Sequence, residues 1–392
     1  MSGVCTMRHL LQLHAANQDS KAFAIFDDGT EWSYATAQAK AEAIASGLAQ
    51  RGVKAGDPVI VWLPNGTEMI AAWLGIGWLA AQFVPLNLAW RGAILANAVN
   101  LIAAGVAIVH ADLTSEIDSK AFRHVIVVGD DKVEHRFQDL LVAPGPVAFD
   151  PVHDWDTMQL TFTSGTTGAS KAVIGTYAQA AAFLSPPDPA ALGADARFLL
   201  VLPLFHAGGI ASLYAILRSG GTVIVPRQFR TSDFWPLVRH RGVTSTTLVQ
   251  QMAAFVLDMP FSLDDHAHSL RHVNIAPMGM AAYRFADRFK TDLWTSYGST
   301  EIGAPIASPA CPSLPGVTGR LRPLYEARIV DGHDQELPIG KVGELIMRAD
   351  RPWTFTPGYF RNAEVPRGAT AGFTQVIFSV RTQMAISILL IG

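Results

Sequence analysis

The sequence predicts an α/β protein built on mainly parallel, buried sheets, with a smaller β unit toward its C-terminus. Three observations carry that expectation. Short apolar runs alternate with segments of helical spacing, the βαβ rhythm of parallel sheets. The chain has 392 residues, enough for two or three packed units, and 49% of them are hydrophobic. The rhythm ends near residue 303, prolines and glycines cluster from Pro309 to Pro323, and strand-like runs follow at Glu326–Val330 and Gly343–Met347.

Each element has a local reason. Residues 22–34 alternate around Asp27-Asp28-Gly29-Thr30, which predicts a hairpin. Ala35 to Gly52 has helical spacing and closes on a glycine. Val59–Leu63 reads as a strand set off by Pro58. Met69–Leu86 is apolar enough to suggest a membrane span, but Gln82 and Pro85 interrupt it, so it is taken as a buried helix. Helix and strand then alternate to His110, and His124–Val128 adds a strand. Residues 143–156, with three prolines and three aspartates, read as a linker. A second α/β series follows: strand 158–163, helix 177–184, strand 198–202, helix 208–219 and strand 222–226.

Composition narrows the function. Net charge is −3 with no basic run, so nucleic acid is not the expected partner. Cys5 and Cys311 are isolated thiols that make neither a disulfide framework nor a zinc site, and a reducing cytoplasm is the expected location. No targeting or transmembrane segment is expected, and the oligomeric state is not legible.

The chemistry concentrates in Leu160-Thr161-Phe162-Thr163-Ser164-Gly165-Thr166-Thr167-Gly168-Ala169-Ser170-Lys171-Ala172-Val173. A strand-like run leads into two glycines, several hydroxyls and a lysine. The glycines permit positive φ and let backbone N–H groups approach an anion. Ser164, Thr166 and Thr167 add hydroxyl donors, and Lys171 adds a positive charge suited to phosphate. The pattern GxxxxGK[ST] does not fit, because Lys171 follows Ala169-Ser170 and precedes Ala172. This stretch resembles the phosphate-binding loop of the adenylate-forming superfamily, which includes acyl-CoA synthetases, peptide-synthetase adenylation domains and luciferases.

Further segments extend the resemblance from about residue 20 to 364. Leu202-Pro203-Leu204-Phe205-His206-Ala207-Gly208-Gly209-Ile210 is similar to the block whose histidine gates the acyl pocket, here His206. Trp294-Thr295-Ser296-Tyr297-Gly298-Ser299-Thr300-Glu301-Ile302-Gly303 is similar to the adenine and metal block. By that resemblance Tyr297 stacks on adenine beside Gly298 and Ser299, Thr300 bonds a phosphate oxygen, and Glu301 holds Mg2+. Ala276 and Pro277 match a loop that lies along the adenine, with Asn274 and Ile275 in place of its glycines. The implied ATP contacts are therefore Ser164, Gly165, Thr166, Thr167, Gly168, Lys171, Ala276, Pro277, Tyr297, Gly298, Ser299 and Thr300. The implied catalytic set is Lys171, His206, Thr300 and Glu301. Phe234-Trp235-Pro236-Leu237-Val238 with Gln250-Gln251-Met252 resembles the carnitine- and crotonobetaine-CoA ligase branch.

The resemblance implies two stacked α/β subdomains with mainly parallel sheets plus the start of a small β subdomain, the large N-terminal domain of the adenylate-forming fold. The expected divisions are 1–150, 151–308 with the phosphate loop and the adenine block, 309–364, and a tail at 365–392. Gly358-Tyr359-Phe360-Arg361-Asn362-Ala363-Glu364 fits the family, and the tail then departs from it. Reading from the third base of codons 369–391 permits DGWLHTGDLQRTDADGYFYFIDR, close to the family's next block. The expectation is a frameshifted tail that makes no part of the fold, a missing C-terminal domain, and a β unit left with an unpaired edge.

The implied reaction joins a small-molecule carboxylic acid to the α-phosphate of ATP with Mg2+, releasing pyrophosphate. CoA thiol then displaces AMP, a step that uses the C-terminal domain, so this chain is expected to be an impaired ligase. Two alternatives stand beside this ligase: a non-catalytic remnant that binds ATP or acyl ligand, and a peptide-synthetase-type adenylation module.

Overall fold

The computed structural model describes residues 6–130, 132–141, 150–163, 171–184, 186, 188–312, 318–338, 340–361 and 378–380. The N-terminal part runs α1 (Met7–Asn17), β1 (Ala22–Phe26), β2 (Glu31–Ser33), α2 (Tyr34–Gln50), β3 (Pro58–Trp62) and α3 (Thr67–Trp78). It continues with β4 (Gln82–Pro85), α4 (Gly92–Ile102), β5 (Val106–His110) and β6 (His124–Val128). The middle holds β7 (Thr157–Phe162), β8 (Ala172–Thr176), α5 (Tyr177–Phe183), β9 (Arg197–Leu199), α6 (Ala207–Ser219) and β10 (Thr222–Val225). Then come α7 (Thr231–Arg241), β11 (Ser245–Val249), α8 (Gln250–Leu257), β12 (His272–Ala276), α9 (Met280–Phe289) and β13 (Asp292–Trp294). The last strands are β14 (Ser296–Ser299), β15 (Gly303–Ala307), β16 (Arg320–Leu321), β17 (Tyr325–Val330), β18 (Glu344–Ala349) and β19 (Phe378–Val380).

Two large sheets dominate. One has the order β6-β5-β3-β4-β7-β8, the other β13-β12-β11-β9-β10-β1-β2. Both are parallel except at one end, where β8 runs antiparallel to β7 and β2 antiparallel to β1. Between the sheets lies the largest apolar core, in which Val59 and Val106 of one sheet share a cluster with Phe198 and Val223 of the other through residues of α2, α3 and α6. A second cluster covers the far face of the β9–β13 sheet with α7, α8 and α9, and a third covers the far face of the β3–β5 sheet with α4. The layers therefore alternate helix, sheet, helix, sheet, helix. This explains why β3 and β5 read as unbroken apolar runs: each is covered on both faces.

The structure bears out the stacked α/β architecture and revises three local expectations. Met69–Leu86 is not one helix: α3 stops at Trp78, Ala80 adopts φ 61, and Gln82–Pro85 forms β4 beside β3. The sheets do not follow chain order. The hairpin β7–β8 that flanks the phosphate loop completes the first sheet, and the hairpin β1–β2 completes the second, so each half of the chain lends a hairpin to the other's sheet. The edge of the small β unit is also paired, because β19 lies antiparallel against β18. Three residues of the expected out-of-frame tail thus join a strand ladder; the rest of that tail lies outside the described residues. Among the described residues no helix is long and apolar enough to cross a membrane.

Candidate active site

The phosphate-loop hairpin is closed at its base by Thr163 N–H donating to the Lys171 carbonyl (3.2 Å). Ser164, Gly165, Thr166, Thr167 and Gly168 lie outside the described residues. Lys171, half-buried, follows them after Ala169 and Ser170. Its ammonium stands 5.0 Å from the centre of the Tyr359 ring, a cation–π distance.

Glu301 reaches the same place from a different sheet. It sits in the turn between β14 and β15, which pair antiparallel with Ser299 opposite Gly303. Two glycines make this turn possible. A Cβ on Gly298 would lie 2.6 Å from the Gly303 carbonyl carbon and 2.8 Å from Ala304 Cα, and Gly303 itself has φ +66. Only glycine tolerates that approach and that dihedral without strain. The turn's backbone is then pinned. Gln179 Nε2 donates to the carbonyls of Thr300 (3.1 Å) and Glu301 (2.8 Å). Thr356 N–H donates to the same Glu301 carbonyl (2.8 Å). Gln179 is buried in the first turn of α5, where the Thr176 hydroxyl caps the helix by accepting from Gln179 N–H (3.0 Å).

The Tyr359 hydroxyl donates to Glu301 Oε1 (3.2 Å), which joins lysine and carboxylate through one side chain. Burial first, then the negative charge of Glu301 and this hydrogen bond, push the Tyr359 hydroxyl up to about 12. The segment carrying Tyr359 is itself stitched to β8. Phe360 N–H donates to the Ala172 carbonyl (2.8 Å), and Ile174 N–H donates to that of Gly358 (3.1 Å).

The remaining sequence-selected residues take other positions. Ala276 ends β12 and is joined to Pro277 by a cis peptide bond. Tyr297 lies on β14, half-buried, and packs against the cluster formed with Ile302, Ile306 and Tyr325. Where the sequence puts Asn274 and Ile275 for glycines, Ile275 is core and Asn274 is buried with no hydrogen-bond partner for its Oδ1 among the described residues. His206 occupies the N-terminal cap position of α6 with an exposed imidazole, and partial desolvation lowers its pKa. Its loop is tied across to the first sheet by Asn65. Asn65 Nδ2 donates to the Leu202 carbonyl and Oδ1 accepts from Leu204 N–H, both at 3.1 Å. A separate cavity of about 350 Å³, lined among others by Asn65, Glu68, His110 and Arg227, contains none of the selected residues.

Gln179, Thr356 and Asn65 had no sequence signal of their own, being single polar residues in apolar or turn contexts. Tyr359 stood in a quoted motif without a role. Among the described residues no group of three or more His, Cys, Asp or Glu gathers. One carboxylate at a turn, joined through Tyr359 to a lysine, suits Mg2+, which keeps several waters and takes its other ligands from substrate phosphates.

Comparison with known proteins identifies a family and a fold. The model of a family described as AMP-binding enzyme matches residues 11–360. A crotonobetaine/carnitine–CoA ligase of Escherichia coli O17:K52:H18 is 30% identical over 339 residues, which are 79% of this chain and 64% of that protein. Its counterpart in Salmonella paratyphi C is 28% identical over 369 residues, 86% of this chain and 69% of that protein. The chain thus spans about two thirds of the length of these relatives. The fold matches an anthranilate CoA ligase solved with anthranoyl-AMP (TM-score 0.86, 20% identity, 97% of this chain and 75% of that one). It also matches the inhibitor-bound N-terminal domain of FACL13 from Mycobacterium tuberculosis (TM-score 0.83, 22% identity, 95% of each chain).

Proposed function

The chain belongs to the AMP-binding enzyme family, and we propose that it binds Mg·ATP between Lys171 and Glu301 and activates a small carboxylic acid as its adenylate. By family it is an AMP-forming acid–thiol ligase. The observation that carries the site reading is the convergence of Lys171 and Glu301, from two different sheets, on one tyrosine.

Each residue has a task set by its chemistry. Lys171 places a positive charge beside the phosphates of ATP. Glu301 holds Mg2+, which when bound neutralises phosphate charge. Thr300, one residue before it, offers a hydroxyl to a phosphate oxygen. Tyr297 and the Ala276–Pro277 end of β12 flank the adenine. His206 stands at the N-terminus of α6, where unpaired N–H groups and the helix dipole favour a carboxylate. The work of the first step is positioning and charge neutralisation rather than covalent catalysis by the protein. In the second step of the family's reaction CoA thiol accepts the acyl group, a step for which the resemblance requires a C-terminal domain. The names of the relatives put crotonobetaine and carnitine first among acids to be tried.

The test is calorimetric titration of the full chain with ATP and Mg2+, with ATP–pyrophosphate exchange across a panel of acids. Lys171→Ala and Glu301→Ala are each expected to weaken Mg·ATP binding about tenfold or more, the loss of a charge-assisted contact. Unchanged affinity in both variants rejects the site.

A further inference from the structure

We propose that Tyr359 is a positioning residue that sets the metal carboxylate and the phosphate lysine against one nucleotide. The inference rests on the nucleotide reading above and assigns the tyrosine within it.

Three sets of contacts carry it. First, Tyr359 touches both partners: its hydroxyl donates to Glu301 Oε1 at 3.2 Å, and its ring lies 5.0 Å from the Lys171 ammonium. Second, the tyrosine's own backbone is fixed. Tyr359 faces Val173 across an antiparallel bridge; its neighbour Phe360 donates its N–H to the Ala172 carbonyl, and its neighbour Gly358 accepts at its carbonyl from Ile174 N–H. Thr356, wholly buried, turns the segment: its hydroxyl lies 2.6 Å from the Ile174 carbonyl oxygen and 2.8 Å from that of Gly358 and shares its one proton between them. Third, the same segment holds the glutamate's backbone through the Thr356 N–H bond to Glu301 O. Residues 356–360 therefore brace both the strand that leaves the phosphate loop and the turn that carries the metal ligand.

The chemistry of the contact is selective. A phenol hydroxyl that engages one carboxylate oxygen fixes the rotamer and leaves the other oxygen free for a hard cation. The aromatic face restrains the lysine without itself neutralising the charge. Removing the hydroxyl alone should loosen Glu301 and leave Lys171 in place. Removing the ring should disturb both.

The experiment is ATP titration calorimetry of the full chain, with Mg2+ and again with EDTA, for the parent, Tyr359→Phe, Tyr359→Leu, Glu301→Gln and the Tyr359→Phe/Glu301→Gln double variant. In Tyr359→Phe the metal-free affinity should stay within about twofold, while the gain conferred by Mg2+ should fall roughly ten- to a hundredfold, the worth of one hydrogen bond to a charged group. Tyr359→Leu should lose about a further threefold in metal-free affinity as Lys171 loses its aromatic bed. In the Glu301→Gln background, Tyr359→Phe should change nothing more. An undiminished Mg2+ gain in Tyr359→Phe overturns the assignment, as does an equal loss with and without metal, which a merely structural tyrosine would give. A parent that binds no ATP overturns the nucleotide reading and this assignment with it.

Discussion

Gly298→Ala tests whether the β14–β15 turn must be closed for Glu301 to work. The added Cβ would lie 2.6 Å from the Gly303 carbonyl carbon and 2.8 Å from Ala304 Cα, and nearer still to the Gly303 oxygen. Non-bonded carbons settle at roughly 3.5–4.0 Å. The two strands must therefore separate by about 1 Å at this point, and backbone atoms, unlike a side-chain tip, cannot rotate away. Overpacking of this kind costs about 1–3 kcal/mol. Because β14–β15 belongs to a three-stranded sheet beside the main core, the strain is relieved locally and the urea midpoint should fall only modestly. The site should suffer more. A displacement of about 1 Å carries Glu301 away from Tyr359 and can cost on the order of a hundredfold in a positioned reaction. Calorimetry should show Mg·ATP affinity at least about tenfold weaker, with metal-free ATP binding changed less. Gly332→Ala is the control, since nothing lies within 4 Å of its added Cβ. Parent-like Mg·ATP affinity in Gly298→Ala would refute the idea that this turn fixes the metal ligand.

Asn65→Ala removes both hydrogen bonds to the loop before α6, and should cost about 1–2 kcal/mol. Faster hydrogen exchange at Leu204 should accompany it; unchanged protection there would show that the amide does not hold the His206 loop. Arg288→Met should lower stability by about 3–5 kcal/mol, because Arg288 and Asp265 are 7% and 11% exposed and form a 2.8 Å pair. Burial alone would raise the Asp265 pKa, but the hydrogen bonds from Arg288 and the Ser262 region and the charge of Arg288 hold it below the usual carboxylate value. A depressed folded-state pKa gives a contribution that is complete above the unfolded value of about 3.9 and is lost as pH falls through the folded one. The parent should therefore show an acid decline in urea midpoint below about pH 4 that is shallower in Arg288→Met; identical slopes would exclude the pair as its source.

Local pattern made most elements legible. The strand His124–Val128 and the hairpin of residues 22–34 fall where alternation and turn chemistry place them. The boundary between α3 and β4 was hidden, because an apolar helix running into an apolar strand leaves no change of composition to read. Sheet membership was hidden for a different reason: the pairing of β1 with β10 joins segments some two hundred residues apart and has no local signature. The site divides in the same way. Lys171 and Glu301 stood in ordered motifs. Gln179 acts on a carbonyl 121 residues away, Asn65 on one 137 away and Tyr359 on a carboxylate 58 away, and contacts at that range belong to the fold.

The exchange of hairpins between the two large sheets bears on how the chain comes into being. During synthesis β1 and β2 emerge early, yet their parallel neighbour β10 ends at residue 225, so the first hairpin must wait. The first sheet in turn lacks β7 and β8 until Thr176 has been made, leaving β4 with an open edge. Neither half matures alone, and a chain cut near residue 150 gives two fragments that each hold a piece of the other. Such fragments should be recovered together or not at all, and a ribosome paused before residue 225 should present a protease-sensitive N-terminus that becomes resistant once that strand is added.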